Sequence, residues 1–448
     1  MLWPNPGRRD FGFPGISRFS ECVRRSPLLP IFLVVLVDIL GFAMVYPLLP
    51  FYAEHFGATP LVATTLVSVY ALCSLFSTPV IGRLSDQFGR RRLLLISQAG
   101  TCAGFIMLGF SSSLWMVFLG RILDGVTAGN LSTAQAYISD HTKPENRAKA
   151  FGIIGIAFGI GFTFGPVMAG WLQHRYNTSV PFLVAAGLSA GSMICTYTLL
   201  APGVPGADSP EPASGPPAAA APVAPGGRRP AVFDLGVYLD YFKRPGLGSL
   251  YLQFFLYIFS FSAFMSGFAL FAERQFTWTA HEVGFLFGYT GFLGIIVQGG
   301  LLGRLVKQLG EVKLAITGFV AIVIAYVALG FTTAIVMLVG ISTISAFGNG
   351  VLRPTLTALL SQRVGRHEQG IALGISASLS SLAMTLAPPV GGVLLTQHWL
   401  VAWAMVPATA AALGLIVALV NRSAASKVPP PGAAELPRAV AKPVAPTP

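Results

Sequence analysis

Three ionisable residues sit where an apolar sequence makes them costly. Asp38 lies inside the apolar run 28–50, and Arg121 and Asp124 lie inside the run 114–137. A charged side chain at the centre of a membrane helix costs about 2.5–3.5 kcal/mol on insertion scales, so it needs a partner or a wet cavity. A carboxyl in such a setting can hold and release a proton. Arg121 and Asp124 are three residues apart and share a helix face. They can form a fixed pair, or Arg121 can respond to the protonation of Asp38 or Asp124. Asn130, Gln135, Gln298 and Asn349 are uncharged polar groups within apolar runs, able to hydrogen-bond a ligand or a neighbouring helix. Tyr46, Phe51, Phe254, Tyr257 and Phe261 add aromatic surface suited to a bulky amphipathic ligand. Packing is the plainer role for most of them. Of this set, Tyr46, Asn130, Gln135, Tyr257, Gln298 and Asn349 are the candidate substrate contacts.

The elements that must position these groups follow from hydropathy. The 448 residues are 54% hydrophobic and only 10% charged, too little charge for a soluble surface. A bilayer core needs about 20 apolar residues per helix. Twelve runs qualify: 28–50, 62–82, 92–111, 114–137, 148–172, 180–200, 249–271, 282–303, 312–331, 333–352, 369–395 and 399–421. The expected fold is therefore an all-α membrane protein of twelve spans in two six-helix bundles.

The net charge of +12 would point to nucleic acid on a soluble chain. Here its distribution decides otherwise. Apart from Arg121, Arg175 and Arg274, every Lys and Arg falls in the two tails, the central linker or the loops after spans 2, 4, 8 and 10, with Arg353 assigned to the last of these. The positive-inside rule then places both termini in the cytoplasm. The first apolar run follows a basic stretch but has no small-residue cleavage site, and it reads as span 1. Residues 201–230 hold nine Pro, eight Ala and five Gly, which cannot build a core and reads as a linker. The expected organisation is a tail 1–27, a bundle 28–200, a linker 201–245 with a short surface helix near its end, a bundle 246–421 and a tail 422–448.

The halves repeat one another. Gly82-Arg-Leu84 followed by Gly89 recurs as Gly303-Arg-Leu305 followed by Gly310, and Gly152, Gly165-Pro166 and Gly170 recur as Gly374, Ala387-Pro388 and Gly392. Ala128-Gly129-Asn130 has a looser echo in Phe347-Gly348-Asn349. Six spans per half keep the orientation, so the relating axis runs along the membrane normal, and rocking of the halves would expose a central cavity to one side at a time.

The stretch Gly82-Arg-Leu-Ser-Asp86-Gln-Phe-Gly89-Arg90-Arg91-Arg92 resembles the signature loop between helices 2 and 3 of the major facilitator superfamily. The resemblance implies a conformational latch formed by Gly82, Asp86, Gly89, Arg90 and Arg91, closed in the outward-open state. Gly152, Gly161, Gly165, Pro166 and Gly170 resemble the helix-5 motif of proton-coupled antiporters, with Ala169 standing where glycine is usual. Asp38, Gly41, Pro47 and Pro50 match helix 1 of the tetracycline/proton antiporters, and Arg121, Gly125 and Gly129 match the family's helix-4 motif, in which the arginine is tied to proton transfer. Gln298 falls where that family has a helix-8 glutamine. Its helix-8 histidine corresponds to Gly294 and its helix-9 acid to Ile322, so the resemblance does not fix tetracycline as the substrate.

The reading is a proton-coupled exporter of small, largely apolar organic compounds, in a bacterial cytoplasmic membrane and as a monomer. Its partners are a small-molecule substrate, protons and the lipid bilayer, with no nucleic acid. The alternative is a facilitator or proton symporter taking up a small metabolite. A scaffold that has lost transport is disfavoured by the combination of Asp38, Asp86 and Arg121. No nucleotide loop, metal-ligand spacing or nucleophile set is present, and the six His and the cysteines Cys22, Cys73, Cys102 and Cys195 are scattered. Neither an enzyme nor a cofactor nor a metal is expected, with the proton gradient as energy source. The scarcity of basic residues in the spans argues against strongly anionic substrates.

Overall fold

The computed structural model describes residues 28–142, 147–200, 235–244, 246–365 and 368–425. The expected tails, apart from the first residues after 421, and the Pro-rich part of the linker lie outside the described residues.

The N-terminal half contains α1 (Leu28–His55), α2 (Pro60–Phe88), α3 (Arg90–Gly109), α4 (Leu114–Val126), α5 (Asn130–His141), α6 (Arg147–Arg175) and α7 (Val180–Leu199). A short α8 (Leu235–Lys243) leads into α9 (Leu247–Phe276) and α10 (Ala280–Ile296). The latter runs through a π-helical turn, Val297–Leu301, into α11 (Leu302–Leu309). The chain continues with α12 (Glu311–Gly330), α13 (Ile335–Gln362), α14 (Gln369–Thr396) and α15 (Leu400–Ala425). Local chemistry sets several ends. Thr59 caps α2 by accepting from the Val62 N–H, with Pro60 at the first helical position where a missing N–H costs nothing. Thr279 and Glu282 form a reciprocal capping box at the start of α10.

Eleven helices among the described residues are long and apolar enough to cross a bilayer. The expected span 114–137 is not one continuous helix: it is the pair α4 and α5, interrupted at Thr127–Gly129. Two other expectations are corrected. Gly82 and Asp86 do not lie in a loop, because α2 continues through them and the connection to α3 is Gly89 alone, at φ 93. Its missing Cβ permits that conformation. Arg353 is likewise not in a loop, because α13 extends to Gln362. Both errors have one cause: helices of this chain extend past the apolar run that reveals them.

Within the first half α1 packs on α6 and α7, and α3 on α7; within the second α9 packs on α14 and α15, and α12 on α13 and α15. Trp403, Tyr251, Tyr326, Phe105 and Phe182 are fully buried. Outward faces carry exposed apolar residues such as Phe76, Trp115, Ile194 and Val336, as a lipid-facing surface must. The halves meet chiefly through α6 against α10 and α2 against α14. Small residues permit the approach: a Cβ on Gly284 would collide with the Pro166 carbonyl, and one on Gly170 would lie 2.6 Å from the Ala280 carbonyl oxygen. The Leu61 N–H donates to Thr396 Oγ1 at 3.1 Å, and Arg274 bridges Glu54 and the Leu395 carbonyl, each at 3.2 Å. These contacts lie toward the span ends remote from the basic loops.

Candidate functional site

The antiporter-like glycines and Asp38 belong to one interface. A Cβ on Gly165 would stand 2.8 Å from that of Ala43, and one on Gly161 would press on Ile39, so α6 lies flush against the turn of α1 that carries Asp38. Gly152 lies on the same helix. Both Asp38 carboxylate oxygens are buried without a well-formed hydrogen bond. The polar groups nearest to them are Ser192 of α7, Gln98 of α3 and Asn130 of α5. These groups form their own network: Gln98 Nε2 donates to Ser192 Oγ at 2.7 Å, Ser192 Oγ to the Val34 carbonyl at 3.3 Å, and Ser189 Oγ to the Gln98 carbonyl at 3.2 Å. Asp38 therefore stands inside a polar cage that supports its position and leaves its oxygens free. A polar group buried without hydrogen bonds costs free energy.

Arg121 and Asp124 form a buried ion pair, Nη1 to Oδ2 at 3.1 Å, with side chains 4% and 6% exposed. Arg121 Nε and Nη2 are buried without partners, and its guanidinium sits over Tyr70 at 5.9 Å and Phe105 at 5.7 Å. Its unused donors border a cavity of about 10 Å³ lined by Phe42, Val45, Tyr46, Leu49, Val67 and Tyr70. That volume holds about one water. Asp124 is close enough to Asp38 for their charges to interact. Arg121 thus has one nitrogen committed to Asp124 and two nitrogens without a partner.

The break between α4 and α5 explains how Asn130 reaches this group. Irregular backbone at membrane depth survives only where its polar groups are satisfied by protein or water. Here Ser77 Oγ donates to the Gly125 carbonyl at 2.7 Å, Thr78 Oγ1 to the Ala128 carbonyl at 3.1 Å, and Ser97 Oγ to the Thr127 carbonyl. Asn130 becomes the first residue of a new helix instead of a mid-helix side chain. The run Thr127-Ala-Gly129-Asn130 carried this signal, since Gly and Asn favour helix starts and breaks.

Of the other candidates, Tyr46 lies against Phe42 at 5.5 Å and faces Ser262 of α9. Tyr257 is buried in the second half. Asn349 donates to the Ser345 carbonyl at 2.9 Å and to Ser345 Oγ at 3.1 Å, within its own helix, and its Oδ1 is buried without a partner. Gln135 and Gln298 are exposed, Gln298 within the π-helical turn. In the latch stretch Arg90 pairs with Asp86 and donates to Ser85 Oγ at 2.6 Å, while Arg91 donates to the Tyr197 carbonyl and lies over its ring at 4.9 Å. Sequence reasoning did not single out Gln98, Ser192 and Tyr70, although the first two are polar residues inside apolar runs.

Comparison with known proteins agrees with this architecture. The Major Facilitator Superfamily profile matches residues 31–299 and 250–447. The chain belongs to that superfamily. This member is 28% identical over 379 residues to the class B tetracycline resistance protein of Escherichia coli, covering 83% of this chain and 88% of the relative. It is 31% identical over 373 residues to the class C protein of Escherichia coli, covering 81% and 88%. A solved bacterial homologue of the human lysosomal transporter Spinster superposes with a TM-score of 0.72 at 15% identity, over 91% of this chain and 99% of that one, a likeness of fold. This Major Facilitator Superfamily protein is thus a multi-pass integral membrane transporter of all-α fold.

Proposed function

We propose that this transporter exports small, largely apolar organic compounds in exchange for protons, by alternating access of a cavity between its halves. The observation that carries the reading is Asp38: a buried carboxyl whose oxygens make no well-formed hydrogen bond, within reach of the charge of Asp124, which is itself paired with the buried Arg121. In one state Asp38 is neutral and Arg121 stays with Asp124. When Asp38 releases its proton, the guanidinium of the Arg121–Asp124 pair would turn toward the new charge, and that movement would shift the helices that line the cavity. The glycines at 161, 165 and 170 let α6 slide against α1 and α10 during that shift. Asp38, Arg121 and Asp124 are the proposed coupling residues. Gly82, Asp86, Gly89, Arg90 and Arg91 are the proposed latch, and Gly152, Gly161, Gly165, Pro166 and Gly170 the proposed antiporter motif. Tyr46, Asn130, Gln135, Tyr257, Gln298 and Asn349 are the proposed substrate contacts. The proposed setting is a bacterial cytoplasmic membrane with both termini inside, a monomer, and no cofactor beyond the proton gradient.

The test is accumulation of a panel of fluorescent dyes and antibiotics in cells expressing wild type or Asp38→Asn, with and without a protonophore. Lower accumulation with wild type, lost in the variant and on adding protonophore, is the expected result. Wild-type cells that accumulate more of a compound, driven by the gradient, would replace the exporter with the symporter alternative.

A further inference from the structure

The placement of Arg353 in α13 changes the chemistry of the boundary between the halves. Its side chain is exposed, yet it faces the other half of the molecule: the guanidinium carbon lies 5.1 Å from the centroid of Phe158 on α6. Its charge is also felt by the buried Tyr257 on α9. Counted along each helix at about 1.5 Å per residue, Arg353 is about 13 Å from Gln362, Tyr257 about 15 Å from Leu247 and Phe158 about 16 Å from Arg147. The three therefore stand at one depth, measured from the ends that carry the basic loops. None of the ion pairs among the described residues includes Arg353.

A lipid-facing arginine would extend its head group to the membrane surface and cover apolar surface with its stem. This one instead lies over an aromatic face at the boundary between the halves. Ring contact orients a guanidinium and leaves its edge, with a planar fork of donors, available to an acceptor. The matching group is a planar or tetrahedral anion that accepts two parallel hydrogen bonds, a carboxylate or sulfonate. The ring of Phe158 against it suits an apolar body, with the buried Tyr257 behind.

We propose that Arg353 is a substrate-binding residue that selects amphipathic organic anions, with Phe158 receiving the aromatic part. This deepens the export reading and rests on it for the direction of movement. It also revises the expectation drawn from the spans, where Arg353 was counted with a loop and anionic substrates were disfavoured. Export of an anion from a cell with a negative interior is assisted by the membrane potential, so the selection is compatible with outward transport.

The test uses the full chain in lipid nanodiscs and two fluorescent probes that share one aromatic frame: 8-anilinonaphthalene-1-sulfonate and the uncharged N-phenyl-1-naphthylamine. Empty nanodiscs supply the background. The readout is the ratio of the two Kd values, which a purely structural role of Arg353 would not move. Wild type is expected to prefer the sulfonate by about tenfold or more, the worth of a charged hydrogen-bonded contact. Arg353→Gln should bring the ratio close to one through the sulfonate Kd, and Arg353→Lys should keep an intermediate preference. Arg304→Gln, on α11, should leave the ratio unchanged. If Arg353→Gln does not fold, the partial loss in Arg353→Lys decides. The absence of a wild-type preference, or a preference that survives in both Arg353 variants, overturns the proposal. Extrusion of N-phenyl-1-naphthylamine by wild-type cells, with and without protonophore, is read separately. Its absence would count against the exporter and leave the anion selectivity standing.

Discussion

The two halves of this protein repeat a scaffold and divide the chemistry. Gly89 and Gly310 break the chain at matching places, with φ 93 and φ 74, and each is followed at once by a long apolar helix. The echo of Ala128-Gly129-Asn130 in Phe347-Gly348-Asn349 ends differently. In the first half the helix stops and restarts at Asn130, while in the second α13 passes through Gly348, Asn349 and Pro354 without a break. The difference lies in the neighbours. Ser77, Thr78 and Ser97 offer hydroxyls to the carbonyls freed at the first site. At the second, Gly348 is pressed against Ile322, where a Cβ would stand 2.6 Å from the Ile322 Cγ1, and Asn349 bonds back to Ser345 on its own helix. The depths of the halves differ accordingly. The first holds Asp38, Arg121 and Asp124 with free acceptors and donors. The second is filled by aromatic contacts such as Phe264 on Tyr326 at 4.9 Å and Phe271 on Trp403 at 5.0 Å. A similar sequence thus surrounds a buried polar group in one half and packs aromatic rings together in the other.

This contrast can be broken experimentally at several points. The largest effect is expected at Asp38. Asp38→Asn should reduce gradient-driven transport in everted vesicles by about 100-fold or more, the usual scale of a positioned proton-transfer group, while replacement of the buried Tyr326 by Phe in the second half should leave the dependence on the gradient intact. Next, Gly165→Leu should force α6 off α1 and cost about 1–3 kcal/mol through overpacking, seen as a lower thermal midpoint. Gly303→Leu, where a Cβ meets nothing within 4 Å, should not.

The combined change Ser77→Ala and Thr78→Val should strand the Ala128 carbonyl at the α4–α5 break, at about 1–3 kcal/mol, while the Gly125 carbonyl keeps the Ala128 N–H at 3.2 Å. Faster amide exchange confined to residues near Thr127–Gly129 would report it. Ser345→Ala should be milder, about 1 kcal/mol, since Asn349 keeps its bond to the Ser345 carbonyl.

The smallest effect concerns the second half alone. Arg244 donates to both Glu368 oxygens, at 2.8 and 2.9 Å, and holds that carboxyl below the ordinary carboxylate range. A lowered acid stabilises the fold above its ordinary pKa, and the contribution is lost as pH falls through the lowered value. The pair is solvent-exposed and worth about 0–1 kcal/mol. The gap in thermal midpoint between wild type and Arg244→Ala should therefore be small at neutral pH and close on acidification.

Some of these features were legible in the residues and others were not. Hydropathy revealed the apolar runs, because it is a sum along the chain that needs no partner. The cost of a carboxylate in such a run marked Asp38 for the same reason. Tertiary structure decided what surrounds it. Gln98, Ser192 and Asn130 come from three helices distant in sequence, and no periodicity along one helix indicates which face another will meet. The extension of α2 through Asp86 and of α13 past Arg353 also escaped hydropathy, since a helix continues into polar sequence whenever its backbone bonds persist. The break at Thr127–Gly129 is decided jointly. Its Gly and Asn permit it, and hydroxyls from α2 and α3 complete the backbone groups it exposes, which the low dielectric of the membrane would otherwise not allow to remain open.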